Sequence, residues 1–152
     1  MKVKGKVCVV TGAAGGIGEA IARRYAKEGA KGVVVADRDQ ARLDKVAKEI
    51  GGLAVVADIG TEAGVRHLIA EAEKRFGPID VYFSNAGIGR SGHEDASDRD
   101  WADSWNIHVM SHVYAARALV PGMLKRGSGY LVSTASAAGL LASMGSAPYG
   151  VT

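Results

Sequence analysis

The stretch KVCVVTGAAGGIG, residues 6–18, decides the fold of this chain. Its apolar beginning, Lys6–Val10, predicts a β-strand because short apolar, β-branched runs are typical of strands that are covered on both faces. A glycine-rich turn over Thr11–Gly16 follows, and a helix is predicted from about Ile17 to Glu28, stopped by Gly29. A strand that turns through glycines directly into a helix is the context in which such glycines bind a dinucleotide.

Three glycines of this turn have separate physical roles. Gly12 permits the tight turn, Gly16 lets the backbone approach a pyrophosphate, and Gly18 lets the helix pack closely on the strand. The unpaired N–H groups and the dipole at the helix start attract a diphosphate. A turn without a ligand is the alternative, but it would need far fewer glycines. The residues expected at the phosphates are Gly12, Ala14, Gly15, Gly16, Ile17 and Gly18.

The remaining chain alternates between short apolar runs and segments with helical periodicity. Further strands are predicted at Val33–Val35, Leu53–Ala57, Asp80–Phe83 and Tyr130–Thr134. Helices are predicted around Leu43–Ile50 and Val65–Phe76 and over about Asp98–Lys125. The last of these is expected to bend midway. Its second part places five residues on one stripe: Val109, Val113, Ala116, Val120 and Met123. Strands that alternate with helices of this length predict an α/β fold, a doubly wound parallel sheet of the Rossmann type.

Asp37 lies 19 residues after Gly18, at the end of the second predicted strand. A carboxylate at this place can accept both hydroxyls of an adenosine ribose and would repel a 2′-phosphate, which favours NAD over NADP. The neighbouring Arg38 keeps NADP open, because a guanidinium can hold a phosphate with two hydrogen bonds. A helix cap or a solvated strand end is the alternative interpretation of Asp37.

Composition excludes several classes of protein. The 152 residues are 47% hydrophobic and 23% charged with a net charge of +3, which suits one globular domain and does not favour nucleic acid as a partner. The apolar run near the N-terminus is too short for a signal peptide, and no run reaches the length of a membrane span, so a cytoplasmic location is expected by default. The single cysteine, Cys8, is expected to be a buried strand residue.

With these motifs the chain resembles the short-chain dehydrogenase/reductase family. The resemblance rests on the Thr-Gly-x-x-x-Gly-Ile-Gly spacing of the turn, on Asp58-Ile59 after the third strand, and on Ser84-Asn85-Ala86-Gly87 after the fourth. It implies the strand order 3-2-1-4-5, adenine contacts by Asp58 and Ile59, and a bracing role near the cofactor for Asn85, Ala86 and Gly87. Ser84 departs from the family's asparagine, with little expected effect.

The resemblance also implies a catalytic group. Asn106, Ser136 and Tyr149 match the family's asparagine, serine and tyrosine, while the family's lysine would be the residue after Thr152. Tyr149 would act as general acid/base, Ser136 would hold the reacting oxygen, and Asn106 would anchor a water in the proton path. The implied reaction is hydride transfer between NAD and a secondary alcohol or carbonyl. Residues 1–152 are interpreted as a single dinucleotide-binding domain that lacks the family's later strands and ends where the Tyr149 helix starts, so catalysis by this stretch alone is expected to be impaired.

One alternative function remains open beside the enzyme. A non-catalytic dinucleotide-binding or assembly module would have the same fold, and the residue after Thr152 would distinguish it from an enzyme. His108 and His112 are spaced as two metal ligands on one helical turn, but no third ligand is apparent, so no metal is expected and a helix-surface or interface role is favoured. A homodimer or homotetramer is implied by the resemblance alone.

Overall fold

In the computed structural model, which describes residues 2–141 and 144–152, five parallel strands form one sheet. The strands are β1 (Val7–Thr11), β2 (Gly32–Asp37), β3 (Leu53–Val56), β4 (Val81–Ser84) and β5 (Tyr130–Ser133). Their order in the sheet is β3-β2-β1-β4-β5, and every neighbouring pair is parallel. The predicted α/β class and the predicted order 3-2-1-4-5 are confirmed.

Helices connect the strands and cover both faces of the sheet. They are α1 (Gly16–Lys27), α2 (Gln40–Ile50), α3 (Glu62–Phe76), α4 (Asp98–Trp105), α5 (Ser111–Arg126) and the short α6 (Ala147–Gly150). The side chains of Asp39, Thr61 and Ser97 cap the N-termini of α2, α3 and α4 by accepting backbone N–H bonds. Among the described helices, none combines the length and the apolar character that a membrane crossing requires.

Alternate residues of the central strands pack into two apolar layers, one on each face of the sheet. Val7 and Val9 of β1 pack with residues of α3 and α5, such as Leu68 and Leu119. On the other face, Val10 packs with residues of β2 and α2. Burial on both faces explains why these strands appear in the sequence as continuous apolar runs.

Cys8 lies in β1, the middle strand of the sheet, and has no exposed surface. Burial, with a smaller contribution from the Asp80 carboxylate, raises the pKa of its thiol to about 12. The predicted burial of Cys8 is therefore confirmed, and the thiol is protonated and unreactive in the folded protein.

The predicted long helix is interrupted by a π-helical turn, Asn106–Met110, between α4 and α5. The Ser111 N–H donates to the Asn106 carbonyl five residues earlier, and the Ser111 hydroxyl donates to the Ile107 carbonyl at 2.7 Å. The expected stripe over Val109–Met123 was wrong apart from Met123. The buried residues of α5 are Ser111, Ala115, Leu119 and Met123, because the inserted turn changes which face of the helix meets the sheet.

Candidate functional site

A cavity of about 950 Å³ opens where the carboxyl ends of the strands meet. Its walls come from the segments that follow all five strands, and it spans the place where the strand order reverses, between β1 and β4. Ligands of doubly wound sheets bind at this switch point. The volume lies within the roughly 300–1,000 Å³ that is typical of small-molecule sites.

The glycine turn forms one wall of the cavity for the reasons that its sequence predicts. Gly12 has φ +65°, and a Cβ on it would lie 2.7 Å from the Ala86 Cα. A Cβ on Gly18 would collide with the Gly12 carbonyl oxygen, so this glycine permits the close approach of α1 to β1. Gly16 begins α1 with φ +56° and has open space around its Cβ position, so its conformation requires glycine there.

The N-terminus of α1 differs from those of α2, α3 and α4. Its N-cap is Gly15, and no side chain in the described part of the protein caps it. Gly15 and Ile17 line the cavity, so the first N–H groups of α1 remain available at its wall. An anionic group such as a diphosphate fits this place, because helix N-termini bind anions through unpaired N–H groups and the helix dipole.

Thr11 and Asn85 hold the turns after β1, β4 and β5 together. The Thr11 hydroxyl accepts the backbone N–H groups of Asn85 (3.0 Å) and Ala86 (3.1 Å). The Asn85 amide donates to the Thr11 carbonyl at 3.1 Å and accepts from the Thr134 hydroxyl at 2.8 Å. These bonds join three strand ends around the cavity and give the floor of the site a fixed shape.

Asp37 connects the end of β2 with the glycine turn. One carboxylate oxygen accepts the Arg38 N–H at 2.7 Å and the Asp39 N–H at 3.3 Å, and the other accepts the Ala14 N–H at 3.3 Å. The interpretation of Asp37 as a helix cap is wrong, because Asp39 caps α2. Arg42, which pairs with Asp39 at 3.3 Å, lines the same end of the cavity.

Most residues that the sequence singled out share this cavity. Lining it are Gly12, Ala14, Gly15, Ile17, Asp37, Arg38, Asp58, Ile59, Asn85, Ala86, Gly87, Ser136 and Tyr149. Gly16, Gly18 and Asn106 are not among the lining residues. Asn106 instead begins the π-helical turn, with its backbone carbonyl bonded to Ser111.

Ser136 and Tyr149 come from two segments of the chain that follow β5. Ser136 is exposed, precedes a short 3-10 turn (Ala137–Gly139), and accepts the Ala138 N–H on its hydroxyl at 3.2 Å. Tyr149 belongs to α6 and is half-buried. Both residues line the cavity that the glycine turn and Asp37 also line.

His108 is a cavity residue that the sequence interpretation missed. Its Nε2 accepts the Ile88 backbone N–H at 3.0 Å, and its Nδ1 lies 2.8 Å from the Thr152 hydroxyl. Its ring meets the Tyr149 ring edge-on, with centroids 5.3 Å apart and an interplanar angle of 90°. Burial lowers the pKa of His108, and nearby His112 adds to this effect.

His112 faces the same cavity one turn further along. Its Nδ1 lies 3.0 Å from the Ser133 hydroxyl, and burial lowers its pKa. The expected helix-surface position of both histidines is therefore wrong, because they line the cavity. An interface role for them stays a prediction. Residues 2–141 and 144–152 contain no cluster of three or more potential metal ligands. The i, i+4 spacing of the two histidines was the signal that could have placed them on one functional face.

Comparison with known proteins gives a family match and relatives that cover nearly the whole chain. Residues 6–152 match the family model described as short chain dehydrogenase. The chain is 32% identical to an uncharacterized oxidoreductase of Staphylococcus epidermidis, over 99% of this chain and 66% of the relative. It is 33% identical to an NADP-dependent 3-hydroxy acid dehydrogenase of Escherichia coli, over 96% of this chain and 60% of that protein.

Solved structures agree closely with the fold. A short-chain dehydrogenase/reductase from Burkholderia phymatum in complex with NAD has a TM-score of 0.94 at 32% identity, over 99% of this chain and 56% of that one. L-sorbose reductase from Gluconobacter frateurii, complexed with NADPH and L-sorbose, has a TM-score of 0.93 at 37% identity, over 100% and 61%. The chain thus spans between 56% and 66% of the length of these four proteins.

Proposed function

Because the chain belongs to the short-chain dehydrogenase/reductase family, we propose that it acts as an oxidoreductase between NAD and a secondary alcohol or the matching carbonyl compound. One observation carries the proposal: Ser136 and Tyr149 line the same cavity as the glycine turn and Asp37. A proton-transfer group and an oxygen-binding group thus face the space that a nicotinamide dinucleotide would enter. We also propose that residues 1–152 form a single dinucleotide-binding domain.

The adenosine and diphosphate half of the cofactor fits the wall formed by β1, α1 and β2. The N–H groups at the start of α1 would bind the diphosphate, and Asp37 would accept the ribose hydroxyls. Asp58 and Ile59, at the carboxyl end of β3, would contact the adenine. The nicotinamide, when bound, supplies the acceptor or donor of the hydride.

The choice of NAD depends on Asp37. A structural neighbour binds NAD and another binds NADPH, so the family alone leaves the choice open. The Asp37 carboxylate would repel the 2′-phosphate of NADP. Arg38 and Arg42 at the same end of the cavity oppose this effect, but Arg42 already pairs with Asp39.

Tyr149 and Ser136 would perform the chemistry of the protein itself. The phenol of Tyr149 would take the proton of the alcohol during oxidation, or return it to the alkoxide during reduction. The Ser136 hydroxyl would donate a hydrogen bond to the reacting oxygen as negative charge develops there. A water-anchoring role for Asn106 stays a prediction, as does the pairing of two or four copies.

Removal of the Tyr149 hydroxyl tests the proposal. In the protein at its natural length, Tyr149→Phe should reduce NAD-dependent oxidation of a panel of secondary alcohols by about 10²-fold or more, because general acid–base catalysis typically contributes that much. The reduced nicotinamide is followed by its absorbance. Tyr130→Phe, at an exposed position on β5, is the matched control and should keep the wild-type rate.

Two outcomes would contradict the proposal. Equal rates for wild type and Tyr149→Phe would remove Tyr149 from the mechanism. Tight NAD binding with no turnover of any alcohol or carbonyl would instead support the non-catalytic module with the same fold.

A further inference from the structure

We propose that His108 is a positioning residue of the catalytic site, which holds the loop after β4 and the ring of Tyr149 in place. The inference rests on the proposed oxidoreductase function and adds a residue to it. His108 is the place where three parts of the site meet: the π-helical turn, the loop that carries Gly87 and Ile88, and the segment that carries Tyr149.

The hydrogen bonds of His108 determine which ring nitrogen carries the proton. Nε2 accepts the Ile88 N–H, so it must hold a lone pair. The neutral ring therefore carries its proton on Nδ1, next to the Thr152 hydroxyl at 2.8 Å. That hydroxyl donates its own proton to the Pro148 carbonyl at 2.8 Å, so it can accept from Nδ1. The hydrogen bonds thus run in one direction, from Ile88 through His108 and Thr152 to Pro148, and the Tyr149 carbonyl is a second, longer acceptor of the Thr152 hydroxyl at 3.3 Å.

This series of hydrogen bonds connects two sides of the cavity, the loop after β4 and the segment that carries Tyr149. Ile88 and Gly87 line the cavity next to Asn85, whose bonds fix the turns after β1 and β5. Pro148 and Thr152 flank Tyr149 in and after α6. A change at His108 would therefore move the β4 loop and the Tyr149 ring relative to each other, while the glycine turn and Asp37 would remain in place.

The position of His108 also distinguishes it from Asn106. His108 lines the cavity, whereas Asn106 contributes its backbone carbonyl to the bond with Ser111 and is not among the lining residues. The π-helical turn begins at Asn106 and contains both residues. Within the π-helical turn, the ring that packs edge-on against the Tyr149 ring is that of His108.

The kinetic test separates the ring of His108 from its hydrogen bonds. His108→Phe keeps a flat ring beside Tyr149 but cannot accept the Ile88 N–H, while the carbonyl of His108→Gln can. In the protein at its natural length, we expect His108→Phe to lower kcat about tenfold to 10²-fold, because small displacements of reacting groups have effects of this size. His108→Gln should stay within about threefold of wild type, and the NAD dissociation constant should change less than about threefold in both variants. His67→Gln, at an exposed position on α3, is the control.

A second measurement needs no turnover. Exchange of the Ile88 amide hydrogen, followed by NMR, should be faster in His108→Phe than in wild type and unchanged in His67→Gln. If wild type shows no turnover, the proposed function fails, and this exchange measurement still decides about His108. The inference is overturned if the Ile88 amide exchanges equally fast in wild type and His108→Phe. It is also overturned if His108→Phe keeps full kcat, or if Asn106→Ala lowers kcat while both His108 variants do not.

Discussion

Some side chains that line the cavity also form hydrogen bonds that hold the surrounding backbone in place. Asp37 accepts three backbone N–H groups and still presents its carboxylate to the cavity. His108 uses one ring nitrogen for Ile88 and the other for Thr152. Replacing either residue therefore affects the local backbone as well as any ligand, and the choice of substitution decides which effect is measured.

Replacing Asp37 by asparagine removes its charge with little change in shape. The amide oxygen can still accept the Arg38 and Asp39 N–H groups, whereas the bond from the Ala14 N–H and the repulsion of a 2′-phosphate are lost. We expect the ratio of NADP to NAD affinity to rise about tenfold, which corresponds to about 1.4 kcal/mol. Dissociation constants for both cofactors, measured by fluorescence titration, would check this. Asp44→Asn on the exposed face of α2 is the control, and an unchanged ratio in Asp37→Asn would remove Asp37 from cofactor selection.

The two cavity histidines predict how stability depends on pH. Burial lowers the pKa of both His108 and His112, whereas in the unfolded chain their pKa is about 6.5. Below that pH the unfolded state binds more protons than the folded state, so the free energy of unfolding falls as the pH decreases through this range. Urea unfolding at about pH 7.5 and pH 5.5 would measure the loss.

The variant His108→Gln identifies the contribution of one histidine to this loss. It should make the decrease between the two pH values smaller, because one group that titrates in the window is removed. His67→Gln, which changes an exposed histidine on α3, should leave the decrease as large as in wild type. A decrease that is the same in wild type and His108→Gln would show that His108 does not contribute.

Site residues could be predicted from the sequence in two cases: where the backbone geometry requires a particular residue type, and where a motif has a fixed spacing. Gly12 and Gly18 had to be glycine because of φ and close packing, and the spacing of Ser136 and Tyr149 placed both on the cavity. His108 was not predictable, because its role depends on contacts with residues about 20 and 44 positions away in the chain.

At the scale of elements, the approach of α1 to β1 shapes the end of the cavity that the glycine turn forms. Gly18 lies where a Cβ would meet the Gly12 carbonyl and the Asn85 amide nitrogen, the latter at 2.7 Å. Strands were predictable because burial on both faces demands continuous apolar runs. The interruption of the long helix was expected only as a bend, since α-helical and π-helical turns use the same residue types.

The substitutions Gly18→Ala and Gly15→Ala should separate packing from ligand binding. Gly18→Ala forces α1 away from β1, and we expect a loss of about 1–3 kcal/mol in the free energy of unfolding. Gly15 has extended backbone, with φ −176°, and nothing lies within 4 Å of its Cβ position. Gly15→Ala should therefore cost less stability than Gly18→Ala, only the cost of alanine at an N-cap, and its Cβ at the cavity wall should weaken NAD binding. Equal stability of wild type and Gly18→Ala in urea unfolding would contradict this account.

At the scale of the whole molecule, the cavity depends on segments spread over the entire chain. The turns after β1 and β5 are more than 100 residues apart in sequence, yet Asn85 bonds to both. β5 forms one edge of the described sheet, with Tyr130 and Leu131 partly exposed. Because the site exists only when the sheet is assembled, binding of NAD and global folding should be coupled.

Cys8 offers a direct way to observe this coupling. It is the single cysteine of the 152 residues, it lies in the middle strand, and its thiol is fully buried. A thiol-specific dye should therefore label Cys8 only at the rate at which β1 becomes exposed by unfolding. At an NAD concentration about 100 times its dissociation constant, labelling should slow by about 10²-fold.

Two comparisons make the labelling experiment decisive. In concentrated urea the dye should react at once, with or without NAD. Labelling of the native protein at that same fast rate would show that the middle strand is accessible without unfolding. Otherwise, the native thiol of Cys8 in β1 reports the lifetime of the closed sheet, so the opening rate of each variant can be timed without introducing a new cysteine.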